Sequence, residues 1–435
     1  MSMSAVYSVL YSLQQFLWNG PMLVLLLGTH LYFTFRLRFI QRKLPEGIRL
    51  SVSGGRSAFS ALATSLAATI GTGNIIGIST AVAVGGPGAV FWCWITGVLG
   101  IATCYAECYL SVKYRVRQTD GTYMGGPMYV MDRVLHQKSA AVFFSLCVIL
   151  VSFGMGSGVQ SHTIAAAVAE QEILNPQITG LITAALAGLV ILGGAKQIAK
   201  VCTWLVPGMS VLYLGGCAVL LWMNRSVLGE TVAVIIQSAF SSRAVFGGMT
   251  GTAVMAGMRT GIARGLFTNE AGLGSIPMAA ASADTDSPRE QSLISMTGPF
   301  WDTVVMCAVT GLAIVSSIVK NPELFAKAAD DRLCFLAFSG LPFHGSELLS
   351  VCLILFAFAT MIGWNYYGVC AVRYLAKGKL AGIRIYQLLF LCAVYAGAVL
   401  SLDFVWTVSD LFNAWMALPN ILCLWLLRKV PADMD

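Results

Sequence analysis

Residues 57–85 read SAFSALATSLAATIGTGNIIGISTAVAVG. The stretch is long and apolar enough to span a bilayer, yet Ile70-Gly71-Thr72-Gly73-Asn74 stands near its centre. Two glycines and an amide are poor residues for the interior of a lipid-facing helix. Backbone that unwinds at membrane depth persists only where it is buried in protein or lines a cavity. The stretch therefore predicts a broken transmembrane helix whose break borders a ligand site. The competing reading is a face of small residues packed against a neighbouring helix.

The rest of the chain agrees with a membrane setting. Of its 435 residues, 57% are hydrophobic and 11% charged, with a mean hydropathy of +0.76. Soluble domains carry about 25% charged residues. The expectation is an all-α polytopic membrane protein with one packed core. The first apolar stretch, about residues 6–35, lacks a basic leader and runs into an Arg-rich loop, so it reads as a retained span and not as a cleaved signal. The net charge of +7 comes from basic loops, and no nucleic-acid partner is expected. The 12 Cys stand singly in apolar segments with no CxxC or Cys/His spacing, which predicts small buried hydrophobes and neither disulfides nor metal ligands.

Apolar windows of about 18 residues or more fall near 8–35, 57–83, 88–112, 139–168, 177–195, 201–223, 231–283 (interrupted), 291–319, 347–372, 383–402 and 404–427. That makes about eleven spans. Twenty of the 27 Lys and Arg residues fall on one side. Eleven stand in the loop after the first span (Arg36, Arg38, Arg42, Lys43, Arg49, Arg56) and the loop after the third (Lys113, Arg115, Arg117, Arg133, Lys138), and Lys196, Lys200, Arg289, Arg373, Lys377, Lys379, Arg384, Arg428 and Lys429 fall on the same side. Five fall on the other side: Arg225, Arg243, Lys320, Lys327 and Arg332. Positive residues mark the cytoplasmic face, which places the N-terminus outside and the C-terminus in the cytoplasm. The seventh window is also interrupted, at Gly265-Leu266-Phe267-Thr268-Asn269-Glu270-Ala271-Gly272-Leu273-Gly274. It lies five spans after the first break and runs in the opposite direction. Two broken segments in matching positions of two oppositely oriented halves are the best sequence pointer to a transporter's binding site. The expected organisation is an extra N-terminal span with its basic loop (1–56), a first five-helix repeat (57–226) and an inverted second one (227–435).

Chemistry-bearing residues follow from this frame. A half-helix that starts after a break aims free N–H groups and a positive dipole end at the gap, which suits a carboxylate. The half-helix that ends there offers unpaired carbonyls, which suit Na+. Thr72 and Asn74 add side-chain oxygens. Phe267 and Ala271 share a face if the helix continues through them, and so do Thr360 and Trp364. The hydroxyl of Thr360 is a candidate cation ligand, or else a bond within its own helix. Gln160 is a polar group at depth, read either as an interhelical bond or as a ligand contact. Glu270 reads either as a structural partner of Arg264 or Arg259 that holds the break or as a coupling residue. Glu107 and Asp302 read as structural ion pairs, with Arg115 or Arg289 as partners, ahead of a proton relay. His162 reads as a helix-packing residue. Ser157 and His162, in and beside the Gly-rich run Gly154-Met155-Gly156-Ser157-Gly158, are a poor match to a nucleophile–base pair. No Walker-type motif is present. Neither an enzyme nor an ATP-driven pump is expected.

These motifs resemble the alanine/glycine:cation symporter family, the sodium:alanine symporters. The matching stretches are Ile70-Gly71-Thr72-Gly73-Asn74-Ile75, Gly85-Gly86-Pro87-Gly88-Ala89-Val90-Phe91-Trp92, Gly125-Gly126-Pro127-Met128-Tyr129, the run from Ala263 to Ser275, and Gly363-Trp364-Asn365-Tyr366-Tyr367-Gly368. Together they reach from about residue 30 to the end. The sequence departs from the family at Asn365, at Val369 and around Ser157 and His162. The resemblance implies a LeuT-type fold of eleven spans and a symporter in the bacterial cytoplasmic membrane that moves a small neutral amino acid with Na+. It implies that Thr72, Gly73 and Asn74 meet the substrate carboxylate or its surroundings, and that Gln160, Phe267, Ala271, Thr360 and Trp364 line the amino-acid pocket. The wider LeuT-type pattern implies one cation site at Thr69 and Asn74 and another at the carbonyls of Ala67 and Ile70 with Thr360. The lipid bilayer is the other expected partner. The oligomeric state is open, and a monomer is compatible with the sequence.

Overall fold

The computed structural model describes residues 3–118, 121–240, 252–326, 332–400 and 403–431. Arg243 and Lys327 of the charge pattern, and part of the seventh window, lie outside the described residues. The chain is helical almost throughout. Its main helices are α1 (Tyr7–Arg36), α2 (Arg56–Thr69), α3 (Ile76–Gly85), α4 (Gly88–Lys113), α5 (Lys138–Glu170), α6 (Pro176–Ile191), α7 (Gly194–Met223) and α8 (Leu228–Phe240). They continue with α9 (Thr252–Asn269), α10 (Ile276–Ala280), α11 (Pro288–Lys320), α12 (Gly345–Leu375), α13 (Leu380–Val399) and α14 (Asp403–Leu426). A two-stranded antiparallel ribbon pairs Val116 with Met124 and Arg117 with Tyr123.

Among the described residues, 7 helices are long and apolar enough to cross a membrane, or up to 8 when the bent pair on either side of Gly71 counts as one span. The protein is a multi-pass membrane protein. Each of the eleven apolar windows holds helix, but four give no single helix of this kind, the first being the bent pair α2 and α3. α6 has 16 residues. The seventh window is divided among α8, α9 and α10, and α9 carries Arg259, Arg264 and Asn269. α14 carries Asp410, Asn413 and Asn420, the two asparagines buried in the protein.

Packing explains why so few charges are tolerated. α12 is central, lying against α2, α5, α7 and α13. α9 packs closely on α4 because Gly257, Gly261 and Gly265 recur every fourth residue. A Cβ at Gly261 would collide with the Ala89 carbonyl oxygen, and one at Gly265 with Thr96 Oγ1. Small residues at this spacing let helix backbones approach and gain van der Waals contact where no hydrophobic force separates helix from lipid. The cysteines behave as expected: among the described residues, all are free and only Cys392 is exposed.

Candidate functional site

The first break is built by its own residues. α2 stops at Thr69, Thr72–Asn74 form a single 3-10 turn, and α3 begins at Ile76. The two half-helices are bent by 59°. The Gly71 N–H, which would continue α2 onto the Ala67 carbonyl, instead donates to Asn74 Oδ1 at 2.8 Å. The last carbonyls of α2 are thereby left without helical partners. Asn74 Nδ2 donates to Asp302 Oδ1 at 2.7 Å and to the Asp302 carbonyl at 3.1 Å. Asp302 lies on a π-helical segment of α11, Phe300–Cys307, and its other carboxylate oxygen accepts from Thr303 Oγ1 at 2.7 Å. Thr303 Oγ1 in turn stands 3.4 Å from Thr268 Oγ1 on α9. Asn74, Asp302, Thr303 and Thr268 are thus one buried polar cluster that ties the two broken helices together. Asp302 therefore has an amide partner across the core and forms no ion pair with Arg115 or Arg289.

The second break has a different construction. α9 ends at Asn269, and Glu270, Gly272 and Gly274 all take positive φ, at 53°, 85° and 88°. Such a backbone is ordinary for glycine and strained for glutamate. The Ala271 N–H donates to Asn269 Oδ1 at 2.9 Å. Ser275 Oγ donates to Glu270 Oε2 at 2.5 Å. Glu107 reaches in from α4: its Oε1 accepts from the Gly272 N–H at 3.2 Å, and its Oε2 accepts from Asn420 Nδ2 at 3.0 Å. Asn420 Nδ2 also donates to the Gly272 carbonyl at 2.9 Å. Glu107 therefore holds the unwound loop and does not pair with a cation. Arg115 donates to the carbonyls of Ala281 and Ala283, and Arg289 pairs with Glu46 at 3.2 Å. Among the described residues neither Arg259 nor Arg264 forms an ion pair with Glu270; the electrostatic partner of Arg264 is Asp410.

Between the breaks lies a cavity of about 270 Å³, at the small end of ligand pockets. Thr69, Thr72, Gly73, Gln160, Phe267 and Thr360 line it. Gln160 is held by its amide, which donates to the Met155 carbonyl at 3.1 Å, and its Oε1 stands 3.4 Å from Thr72 Oγ1. The hydroxyls of Thr69 and Thr360 are buried without a hydrogen-bond partner. Thr360 presses on the break, since a Cβ at Gly71 would collide with its Oγ1. The structure puts three further expected residues elsewhere. Asn74 is wholly buried, with both ends of its amide already bonded. Ala271 faces Cys104 and Cys108 of α4, because α9 has ended two residues earlier and the i, i+4 face no longer exists. Trp364 is buried and packs on Gly156 and Tyr367. Ala67 and Ile70 are buried at the end of α2 and are not among the residues that line the cavity. The hydroxyls of Thr69 and Thr360 and the last carbonyls of α2 are all oxygen donors, the type that suits a hard cation such as Na+.

Glu270, expected at the second break, lines the same cavity. Three residues at the site were not expected there: Arg264 and Asp410 also line the cavity, and Trp18 of α1 donates from Nε1 to the Asp410 carbonyl at 2.9 Å, with its ring 6.2 Å from that of Phe267. The sequence signal for Arg264 and Asp410 was charge inside apolar windows. Ser157 Oγ donates to the Phe153 carbonyl at 2.5 Å, and His162 is exposed. They do not form a nucleophile–base pair, and His162 is not a packing residue. A second cavity, about 1630 Å³, opens beyond the first and is rimmed by Arg56, Arg117, Lys196, Lys200, Arg373 and Arg384.

Comparison with known proteins agrees with this picture. The family model of the sodium:alanine symporter family matches residues 3–434. A sodium/alanine symporter, AgcS, of Methanococcus maripaludis is 42% identical over 436 residues, covering 97% of this chain and 95% of its own. A probable sodium/glutamine symporter, GlnT, of Bacillus subtilis is 37% identical over 428 residues, with coverage of 95% and 87%. Among solved structures, a Na+-coupled sialic acid symporter in its substrate-bound outward-open state shares the fold, with a TM-score of 0.55 at 14% identity over 93% of this chain and 82% of that one.

Proposed function

The chain belongs to the sodium:alanine symporter family, and from that premise we propose that it imports a small neutral amino acid, alanine or glycine, by symport with Na+. The observation that carries this reading is the cavity of about 270 Å³ at the meeting of two broken helices. It is too small for a bulky substrate and has a helix N-terminus on one side. The half-helix α3 turns its positive end toward the cavity, so Thr72 and Gly73 receive the substrate carboxylate. Gln160, Phe267 and Thr360 enclose the rest. Na+ sits on the freed carbonyls of Ala67 and Ile70 with the hydroxyls of Thr69 and Thr360. Asn74, assigned by its family motif to both sites, acts through the shape of the break. Ala271 and Trp364 form the supporting wall.

The same reading extends to the whole chain. Eleven membrane crossings are made up of an additional N-terminal helix (1–56) and two five-helix repeats of opposite orientation (57–226 and 227–435). The arrangement is LeuT-type, with the N-terminus outside and the basic C-terminal end in the cytoplasm of a bacterial cell. Alternating access then rocks one helix bundle against the other around the two breaks. The protein is a carrier and has no catalytic residues. The deciding measurement is uptake of labelled alanine by the purified protein in liposomes. An inward Na+ gradient should accelerate uptake and accumulate alanine above equilibrium. Flux that ignores the Na+ gradient would instead mark a facilitator, and uptake driven only by an inward H+ gradient would mark a proton-coupled carrier.

A further inference from the structure

One acid at the cavity has no cationic partner. Glu270 follows the last residue of α9 and is 1% exposed. Its Oε2 is engaged by Ser275, but its Oε1 is buried with no hydrogen-bond partner. Arg264, the cation in the same cavity, interacts with Asp410 instead. The neighbour of Glu270 on α12 is Trp364, a neutral indole N–H donor that interacts with the carboxylate but supplies no counter-charge. A buried carboxylate without a counter-charge is costly. It is held here by a strained backbone, at φ 53°. Strain and unmet charge at one residue of a ligand cavity point to a group that arrives with the ligand.

The geometry around Glu270 describes that group. Glu270 stands in the break after α9 and lines the cavity. With the hydroxyls of Thr69 and Thr360 assigned to Na+, its carboxylate is the anionic acceptor left for a primary ammonium, which would donate a charge-assisted hydrogen bond. The start of α3 supplies the complementary pole for a carboxylate. The cavity is therefore bipolar on the scale of a zwitterion. We propose that Glu270 is the receptor for the α-ammonium group of the substrate. The assignment rests on the amino-acid reading above. It makes the cavity selective for molecules that carry both charges, not merely for small carboxylates.

The test compares alanine with lactate and propionate, which keep the carboxylate and the methyl group but lack the ammonium. Binding of labelled alanine to the purified protein at saturating Na+ is competed with each of the three. For the wild type, alanine should compete far better than the other two. Glu270→Gln keeps the shape and the Ser275 contact and removes the charge. It should weaken alanine by roughly 10- to 100-fold, the loss expected for a charge-assisted hydrogen bond, while lactate and propionate change little. The preference ratio is internal to each sample, so partly inactive protein does not imitate the effect. Glu270→Asp, which retains the charge, should keep most of the preference and serves if Glu270→Gln folds poorly. An unchanged ratio in Glu270→Gln overturns the proposal. So does a loss of labelled Na+ binding measured without amino acid, with the ratio preserved, which would make Glu270 a sodium ligand. Wild-type protein that binds no alanine at all overturns the amino-acid reading itself, and this assignment with it.

Discussion

Asn74 shows how one side chain can shape a break in a helix. Its carbonyl oxygen ends α2 by capturing the Gly71 N–H, and its amide nitrogen anchors the turn to Asp302. Asn74→Ala should therefore release the turn and strand Asp302 in a buried site, lowering stability by ~2–3 kcal/mol. Asp302→Asn should cost a similar amount by opposing two amides. The exchange Asn74→Asp with Asp302→Asn restores one amide facing one carboxylate. It should recover much of the melting temperature lost by either single variant in purified protein. Additive losses in the double variant would contradict the coupling. The polar interruption of an apolar stretch was legible in the sequence, because glycines and an amide at membrane depth weaken a lipid-facing helix and suit an unwound one. So were Thr72, Gly73, Gln160, Phe267 and Thr360 as neighbours of one cavity. The direction of Asn74 was not legible, since it depends on a partner 228 residues away. Ala271 was misplaced because the helical spacing that joins it to Phe267 ends at Asn269.

At the scale of elements, α1 is more than an addition beside the repeats. Gln14 Nε2 donates to Asp410 Oδ2 at 3.1 Å, and Trp18 Nε1 donates to the Asp410 carbonyl at 2.9 Å. Trp18 also meets Phe267 edge-on, with ring planes 70° apart. Lower down, a Cβ at Gly272 would lie 2.8 Å from Leu26 Cδ2, so α1 also borders the second break. One helix thus contacts both the wall of the cavity and the loop that shapes it. Trp18→Ala removes the ring that sets Phe267 and one of the bonds that fix Asp410. An edge-to-face aromatic pair contributes about 1 kcal/mol beyond its buried area, and the lost hydrogen bond about as much again. Alanine affinity should fall by roughly tenfold or more, with little change in the amount of folded protein in the membrane. Wild-type affinity in Trp18→Ala would show that Phe267 is positioned without α1. The sequence made α1 legible as a span. It carried no sign of these contacts, because their partners Asp410 and Phe267 lie in distant parts of the chain.

For the whole molecule, charge and cavity shape bear on the same question of sidedness. The large cavity is rimmed by six basic residues, Arg56, Arg117, Lys196, Lys200, Arg373 and Arg384, all from the face with the excess of Lys and Arg, and Asp284 is the acidic residue that accompanies them. The small cavity is lined toward its other end by Thr80, Thr163 and Trp406, which belong to the opposite halves of their helices. Between the two, α2 and α12 close on each other, for a Cβ at Gly363 would lie 2.7 Å from the Ala68 nitrogen. If positive loops face the cytoplasm, the large cavity is the inner vestibule and the Ala68–Gly363 contact is part of the inner barrier. This reading has a direct topological test. Ser60 lines the large cavity, and Ser60→Cys places a thiol there. Cys392, exposed, and Cys370, which also borders the cavity, are first replaced by serine. A membrane-impermeant thiol reagent should then label Ser60→Cys in inside-out vesicles and spare it in right-side-out ones. Labelling only from the outside would reverse the orientation and, with it, the direction in which the two breaks pass their substrate. Saturating alanine and Na+ should alter the labelling rate, because the vestibule ends at the barrier that must open to release them. A rate indifferent to both would separate the large cavity from the transport path, leaving its basic rim as a consequence of loop charge alone.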